Sequence, residues 1–160
     1  MVSEKKFPYY IRWALGEEWE DIMDMVWRTF LRFEANDYTE EGIANFKDFI
    51  TDPRLFHMFM NGQYATMIAV YENKIIGQIS VRSGNHISLL FVDEAYHRQG
   101  VGRELIREMA DFLIRDRNAK SMTVQAAPYA VEFYRKVGFQ ICAPEEEYSG
   151  IRVTSMELFL

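Results

Sequence analysis

The chain has 160 residues, a length typical of one domain, and we expect a single domain over residues 1–160. Apolar residues make up 49% of it and charged residues 26%, which is the balance of a globular protein rather than of a disordered chain. Acidic side chains number 24 and basic ones 18, so the net charge of −6 argues against a nucleic-acid partner.

The first predicted elements are a short strand and two helices. Residues 9–14 read as the strand, and residues 17–33 carry apolar side chains at the three- and four-residue steps of an amphipathic helix. Asp37, followed three residues later by Glu40, has the form of a capping box and predicts the start of a second helix. We expect that helix to end before Pro53.

From residue 64 the pattern changes to that of strands. Three strand-like segments, residues 64–71, 75–82 and 86–92, are joined by short polar turns and predict an antiparallel meander. A helix follows from Gly100 to about Asp116, then a strand over 121–126.

The C-terminal part predicts one more helix and two strands. Pro128 begins the helix, which ends near Gly138, and the strands cover 139–142 and 150–160 with an acidic turn at 145–147 between them. The sum is an α/β (α+β) fold, with a mixed, mostly antiparallel sheet of about seven strands and about four helices on both of its faces.

Cellular location and metal binding are constrained by the cysteine, histidines and apolar segments. Cys142 is the single cysteine, so no internal disulfide can form, and a reducing cytoplasm is the expected compartment. The three histidines are far apart in sequence, and no metal site is expected. The N-terminal twenty residues lack a signal-peptide core, and no long uncharged apolar run predicts a membrane span.

A glycine-rich turn after the third meander strand is the clearest functional signal. Gly100 and Gly102 lie where a polar loop enters a helix, and a helix N-terminus presents unpaired N–H groups to an anion. Residues 97–107 carry three arginines and one glutamate, a local charge of +2. Leu105 replaces the third glycine of a dinucleotide fingerprint, and no P-loop lysine follows, so neither an NAD nor an ATP site is favoured. Taken alone, the two glycines are equally compatible with a tight structural turn.

Two motifs in order resemble those of the GNAT N-acetyltransferases. The family's [Q/R]-x-x-G-x-[G/A] motif is matched by residues 97–102, with His97 in place of the usual glutamine or arginine, and an F-Y-x-x-x-G-F run is matched by residues 133–139. The predicted order of elements is also similar, over nearly the whole chain. The resemblance implies that acetyl-CoA is the cosubstrate and that its acetyl group is transferred directly to a primary amine in a ternary complex.

The resemblance also implies where acetyl-CoA would bind. The backbone of three residues in the fourth strand, Leu90, Phe91 and Val92, would pair with the amides of the pantetheine arm. The diphosphate would lie at the glycine-rich turn, where Arg98 or Arg103 adds charge to the backbone donors. The expected cofactor-binding residues of that turn are His97, Arg98, Gln99, Gly100, Val101, Gly102 and Arg103.

The catalytic residues are likewise implied by the resemblance. Tyr134 matches the family's tyrosine, the acid that protonates the leaving thiolate. His86 lies at the position where protein-lysine members carry a glutamate base, and Glu34 and Asp37 are fallback bases. The backbone N–H of Val92 would stabilise the thioester oxygen.

Several alternatives stay open at this level. The alternative to an N-acetyltransferase is a non-catalytic acyl-CoA-binding sensor or scaffold with the same fold. The aromatic side chains of the first helix and the segment after it belong to the core or to an acceptor pocket: Trp19, Trp27, Phe30, Phe33 and Tyr38. The identity of the amine is not readable, and neither is the oligomeric state, for which a homodimer through the C-terminal strands is one option.

Overall fold

The computed structural model describes residues 7–148 and 150–160. The first six residues of the N-terminal stretch considered above lie outside the described residues. The helices are α1 (Trp19–Phe33), α2 (Glu40–Thr51), α3 (Pro53–Met60), α4 (Val101–Arg117) and α5 (Val131–Val137). The strands are β1 (Tyr10–Trp13), β2 (Ala65–Tyr71), β3 (Lys74–Arg82), β4 (His86–Val92), β5 (Ser121–Ala126), β6 (Gln140–Ile141), β7 (Glu146–Tyr148) and β8 (Ile151–Phe159).

The strands form one mixed sheet in the order β1-β2-β3-β4-β5-β8-β6, with β7 paired to β8. Each of these pairings is antiparallel apart from the one between β4 and β5, which is parallel. The predicted meander of β2, β3 and β4 is therefore present. A register shift after Ser80 leaves Ser88 as an extra residue in β4, a β-bulge in the strand that borders the parallel pairing.

The sheet separates two apolar cores. Helices α1, α2 and α3 cover one face, where Ile22, Val26 and Phe30 are fully buried against strand residues such as Ile68. Helix α4 covers the other face, on which Leu105 is fully buried. We call these the α1 face and the α4 face. Burial of apolar area on both sides of the sheet is the main term that stabilises such a three-layer fold.

The close approach of α4 to the sheet depends on a glycine in β3. A Cβ added at Gly77 would lie 3.1 Å from Leu105 Cδ1 and 3.2 Å from Val101 Cγ1. Because any larger residue at position 77 would push these side chains away, the glycine lets the first turn of α4 sit directly against the sheet. The N-terminus of α4 is thereby fixed beside the end of β4.

The predicted fold class is confirmed, and four local predictions differ from the structure. Residues 53–60, left unassigned by the pattern, form helix α3, with Pro53 at its first position and Asp52 Oδ1 accepting from the Arg54 N–H at 2.9 Å. Helix α2 is capped by Thr39, not Asp37.

The other two differences lie near the C-terminus. The expected acidic turn is largely strand β7, and the strand expected over 139–142 is confined to β6. Short polar segments of this kind carry almost no periodicity, so only pairing with β8 makes them strands. Cys142 follows β6 and is exposed.

Candidate functional site

A gap opens in the middle of the sheet, where β4 and β5 part. The parallel pairing joins only His86 to Thr123 and Ile87 to Val124. Beyond these two pairs the strands diverge around a cleft of about 850 Å³. A cleft of this size lies within the range of small-molecule binding sites, and the parted strands leave backbone groups without a strand partner.

The hydrogen-bond pattern of β4 identifies which backbone groups face this gap. The Asp93 N–H donates to the Ile76 carbonyl at 2.8 Å, so Asp93 and, two residues earlier, Phe91 point their backbone groups toward β3. Leu90 and Val92 alternate with them and therefore direct their N–H and C=O groups into the gap. Of the three residues predicted to pair with pantetheine, two have backbone groups oriented for that contact.

The glycine-rich turn lies at one end of the cleft, on the α4 face. Gly100 has φ +85° and caps α4, and a Cβ added there would meet no atom within 4 Å. The N–H groups of Val101, Gly102 and Arg103 open the helix and so have no intrahelical acceptor. Residues 97–103 all line the cleft. Together they form an open, positively polarised cradle of the kind that binds phosphate groups.

The charged side chains of the cleft differ in part from the prediction. Arg98 and Arg103 line it, whereas Arg107 forms an ion pair with Glu104 at 2.8 Å and is not among the lining residues. Lys136 of α5 supplies a third cation at the cleft wall, and its carbonyl oxygen accepts from Arg103 Nη2 at 3.5 Å. Lys136 lies inside the recognised F-Y-x-x-x-G-F run, so its position in the motif was the available signal.

His97 bridges the two sides of the cleft. Its Nε2 donates to the Val92 carbonyl, so the ring carries a proton on that nitrogen. Its centroid also lies 4.7 Å from that of Phe33. The histidine that departs from the family pattern thus occupies one of the backbone acceptors of the gap and packs on the last residue of α1.

Tyr134 lies in the wall of the cleft and is 5% exposed. Its ring packs edge-on against Phe133 and Phe139, with centroid distances of 5.2 Å to each. Within the described part of the chain its hydroxyl makes no hydrogen bond. Burial raises the pKa of this phenol well above its usual range, and the nearby charge of Glu34 adds to the shift, so Tyr134 is a neutral proton donor.

The structure does not bring His86 to the cleft. His86 lies at the closed end of the gap, where β4 and β5 are still paired, and its Nδ1 lies 2.8 Å from Thr123 Oγ1. Burial lowers its pKa, and the charge of Arg82 lowers it further. A neutral imidazole is available there, but it does not line the cleft.

Glu34, named as a fallback base, lines the cleft instead. It follows the last residue of α1, and burial of its carboxyl, with a smaller contribution from the charge of Asp37, raises its pKa to about 7. No ion pair to Glu34 is found among the described residues. Asp37 itself lies 3.6 Å from Arg152 and is not part of the cleft wall. A carboxyl that titrates near neutrality is suited to accept a proton at physiological pH.

Aromatic side chains dominate the α1 side of the cleft. We define the acceptor pocket by its lining residues Thr29, Phe33, Glu34, Tyr38, Phe46 and Tyr129. Of the five aromatic residues left open by the sequence, Trp19, Trp27 and Phe30 belong to the core on the α1 face, whereas Phe33 and Tyr38 line this pocket. Phe46 and Tyr129 could not be assigned from the sequence, since helical spacing does not distinguish a core residue from a cleft residue.

The described part of the chain offers neither a metal site nor a helix that could span a membrane. Among residues 7–148 and 150–160, no group of three or more His, Cys, Asp or Glu side chains is arranged to hold a metal ion. Over the same residues, no helix combines the length and apolarity needed to cross a bilayer.

A family model described as an acetyltransferase (GNAT) domain matches residues 34–160. The match includes the glycine-rich turn, both parted strands and Tyr134. No match to the sequence was found among curated proteins.

Solved structures resemble all or part of the fold. A protein of Rhodopseudomonas palustris, titled a GCN5-related N-acetyltransferase and "Aminotransferase, Class-II", is 25% identical with a TM-score of 0.82, over 100% of this chain and 99% of its own. The PaiA N-acetyltransferase of Thermoplasma acidophilum, in complex with coenzyme A, is 17% identical with a TM-score of 0.78, over 96% of this chain and 100% of its own. A putative streptothricin acetyltransferase of Bacillus anthracis, in complex with acetyl coenzyme A, is 23% identical with a TM-score of 0.54, over 61% of this chain and 63% of its own.

Proposed function

The chain belongs to the GNAT acetyltransferase family, and from this premise we propose that it transfers the acetyl group of acetyl-CoA to a primary amine in a ternary complex. Acetyl-CoA is the cosubstrate. The single observation that carries the proposal is the meeting of three features in one cleft: an anion cradle, unpaired strand backbone and a buried tyrosine without a hydrogen-bond partner in the described part of the chain.

The residues of the cleft fit coenzyme A along its length. The N–H groups at the start of α4 suit the diphosphate, and Arg98, Arg103 and Lys136 add positive charge beside them. The backbone N–H and C=O of Leu90 that face the gap suit the amides of the pantetheine arm, as an added strand would, whereas the Val92 carbonyl already accepts from His97. Gly100 leaves the cradle open, because an added Cβ there would meet no protein atom within 4 Å.

When bound, acetyl-CoA supplies a thioester whose carbonyl carbon accepts the amine. In the transfer a C–N bond forms and the C–S bond breaks. The Val92 N–H, which the alternation of β4 directs into the gap, would donate to the thioester oxygen. Tyr134 gives its proton to the departing thiolate. Burial raises the pKa of the phenol and so makes it a weaker acid, but the same desolvation would also raise the proton affinity of the departing thiolate.

Glu34 is the base that we favour for removing the proton of the amine. It lines the cleft at the end of α1, and its pKa of about 7 leaves it partly ionised at neutral pH. His86 remains the rival base, acting through water, although it lies at the closed end of the gap.

The proposal is tested by titrating the protein with acetyl-CoA in a calorimeter and by measuring thiol release over a panel of primary amines. We expect binding of acetyl-CoA and release of coenzyme A with at least one amine. Failure to bind any acyl-CoA contradicts the proposal. Binding without thiol release on any amine would instead support the alternative, a non-catalytic acyl-CoA-binding sensor or scaffold.

A further inference from the structure

The distribution of charge along the cleft limits the kind of amine that fits it. All the lysine and arginine side chains among the described lining residues, Arg98, Arg103 and Lys136, belong to the glycine-rich turn, the start of α4 or α5. None of the residues that define the acceptor pocket is a lysine or arginine, although the charge of Arg98 reaches Tyr129 at its edge. Its titratable acid, Glu34, carries negative charge when ionised and would repel a carboxylate or phosphate of the acceptor.

Three arginines near the acceptor pocket have acidic partners, and one of them, Arg32, also lies over the Phe33 ring, 5.1 Å from its centroid. Arg28 lies 2.8 Å from Asp93 and Arg32 lies 3.5 Å from Glu94. Arg152 lies 3.6 Å from Asp37 and 4.0 Å from Glu145. An acidic group placed next to the reacting amine would therefore have to compete with these acidic partners for a cation, and it would also meet the charge of Glu34, which is unfavourable.

The rest of the acceptor pocket is suited to an apolar stem. Phe33 and Tyr129 form a tilted pair with centroids 5.5 Å apart, and Tyr129 is 52% exposed. Phe46, deeper in the pocket, is 9% exposed and stacks on Phe30 at 4.1 Å. Ring faces of this kind bind aliphatic and aromatic groups and attract an ammonium group.

We infer that the acceptor is a primary amine on an uncharged aliphatic or aromatic stem, with no carboxylate or phosphate next to the amine. This inference rests on the proposed function and narrows its substrate class. It separates amines of this class from α-amino acids and from phosphorylated amino sugars, which present an anion close to the nucleophile.

The inference is tested with matched acceptors that differ by the carboxylate: tyramine against tyrosine, and phenethylamine against phenylalanine. We expect kcat/KM from thiol release to be at least about tenfold higher for the amine of each pair, because leaving one charge unpaired raises the barrier by at least the free energy of a tenfold change. Tyrosine methyl ester, which keeps the bulk and removes the charge, is expected to react more nearly like tyramine. Amino acids that react as well as their matched amines overturn the inference.

A charge variant at the mouth of the pocket gives an independent readout. Tyr129→Arg places a cation beside the pocket and is expected to lower the ratio of kcat/KM for tyramine over tyrosine several-fold, since the carboxylate gains a partner. Tyr129→Gln, which removes the ring without adding charge, should leave that ratio within about twofold. An unchanged ratio in Tyr129→Arg contradicts the inference.

Binding separates this inference from the proposed function. Calorimetry on the protein saturated with coenzyme A is expected to detect tyramine and not tyrosine, whether or not transfer occurs. Selective binding of tyramine without thiol release would mean that the proposed function fails while the inferred ligand class stands. Tyrosine that binds as tightly as tyramine overturns the inference.

Discussion

At the scale of single residues, the two groups proposed to move protons sit in one desolvated cleft and influence each other. Glu34 contributes to the raised pKa of Tyr134, and burial is the main cause of the shift in both. A neutral phenol and a carboxyl that titrates near pH 7 are the protonation states that an acid and a base need.

Glu34→Gln is expected to reduce kcat about 100-fold, since a positioned base contributes roughly that factor or more. A base must be deprotonated, so wild-type kcat/KM should rise as the pH increases through about 7. The variant should lack this rising limb of the pH profile. Asp37→Asn provides the matched control. Removing that negative charge lowers the pKa of Glu34, so the limb should move to lower pH. If the limb near pH 7 persists in Glu34→Gln, the base is another group, with His86 as the first candidate.

The same variant has an effect on stability that does not depend on turnover. Because folding raises the pKa of Glu34, its contribution to stability is fully present below the unfolded pKa, near 4.5, and is lost as the pH rises through about 7. Glu34→Gln should therefore unfold with a free energy about 1–3 kcal/mol higher than wild type at pH 8. The difference should disappear near pH 4. Urea unfolding at the two pH values measures it.

Tyr134→Phe should reduce kcat by about 100-fold and leave the affinity for acetyl-CoA within about twofold, because only the donated proton is lost. Stopped assays of thiol release and calorimetry measure the two quantities. Tyr10→Phe is the matched control, since Tyr10 is exposed on β1 and outside the cleft. Equal turnover of Tyr134→Phe and wild type would remove Tyr134 from the mechanism.

At the scale of elements, strong periodicity and motif spacing predicted the sheet, most helices and the glycine-rich turn. The sequence did not reveal which residues of β4 line the cleft and which lie where β4 and β5 are still paired. His86 and Leu90 lie on one strand, but the strands part only after Ile87, and no local signal marks that point. The place of Glu34 in the cleft could not be predicted either, because it depends on the end of α1 packing beside strands that are distant in sequence. Short elements such as α3 and β7 depend on tertiary contacts that a pattern does not contain.

Gly100→Ala tests the turn that opens α4. The positive φ of +85° makes alanine unfavourable by about 1–2 kcal/mol, and the added methyl group projects into the open cradle. We expect acetyl-CoA to bind about tenfold more weakly, measured by calorimetry. Gly84→Ala is the matched control, with φ +89° and open space in the turn between β3 and β4. It should lose similar stability and keep the affinity for acetyl-CoA; an equal loss of affinity would assign the effect to general destabilisation.

At the scale of the whole molecule, the C-terminal hairpin of β7 and β8 holds the N-terminal helices in place beside the cleft. The Thr39 N–H donates to the Gly150 carbonyl at 3.1 Å, and the start of α2 lies directly against it. Arg152 adds its ion pair to Asp37. Segments more than a hundred residues apart thus fix the connection that carries Glu34 and Tyr38.

Gly42→Ala tests this coupling. Alanine favours a helix over glycine, but a Cβ at position 42 would lie 2.5 Å from the Gly150 oxygen. We therefore expect a loss of about 1–3 kcal/mol in unfolding free energy and a higher KM for the amine, with the affinity for acetyl-CoA unchanged. Glu41→Ala, at the exposed neighbouring position, should change neither. If Gly42→Ala is instead more stable than wild type, the contact between positions 42 and 150 relaxes at little cost, which contradicts the prediction.

Only two residue pairs, between β4 and β5, connect strands β1 to β4 with the remaining strands of the sheet. In the free protein, amide hydrogens of Leu90, Val92 and Gln125 should exchange with solvent faster than those of neighbouring strand residues. Coenzyme A bound between β4 and β5 would form hydrogen bonds with both strands and slow that exchange. Ligand-induced protection should accordingly be concentrated on these residues, because bound coenzyme A would extend the pairing between β4 and β5 beyond Ile87 and Val124.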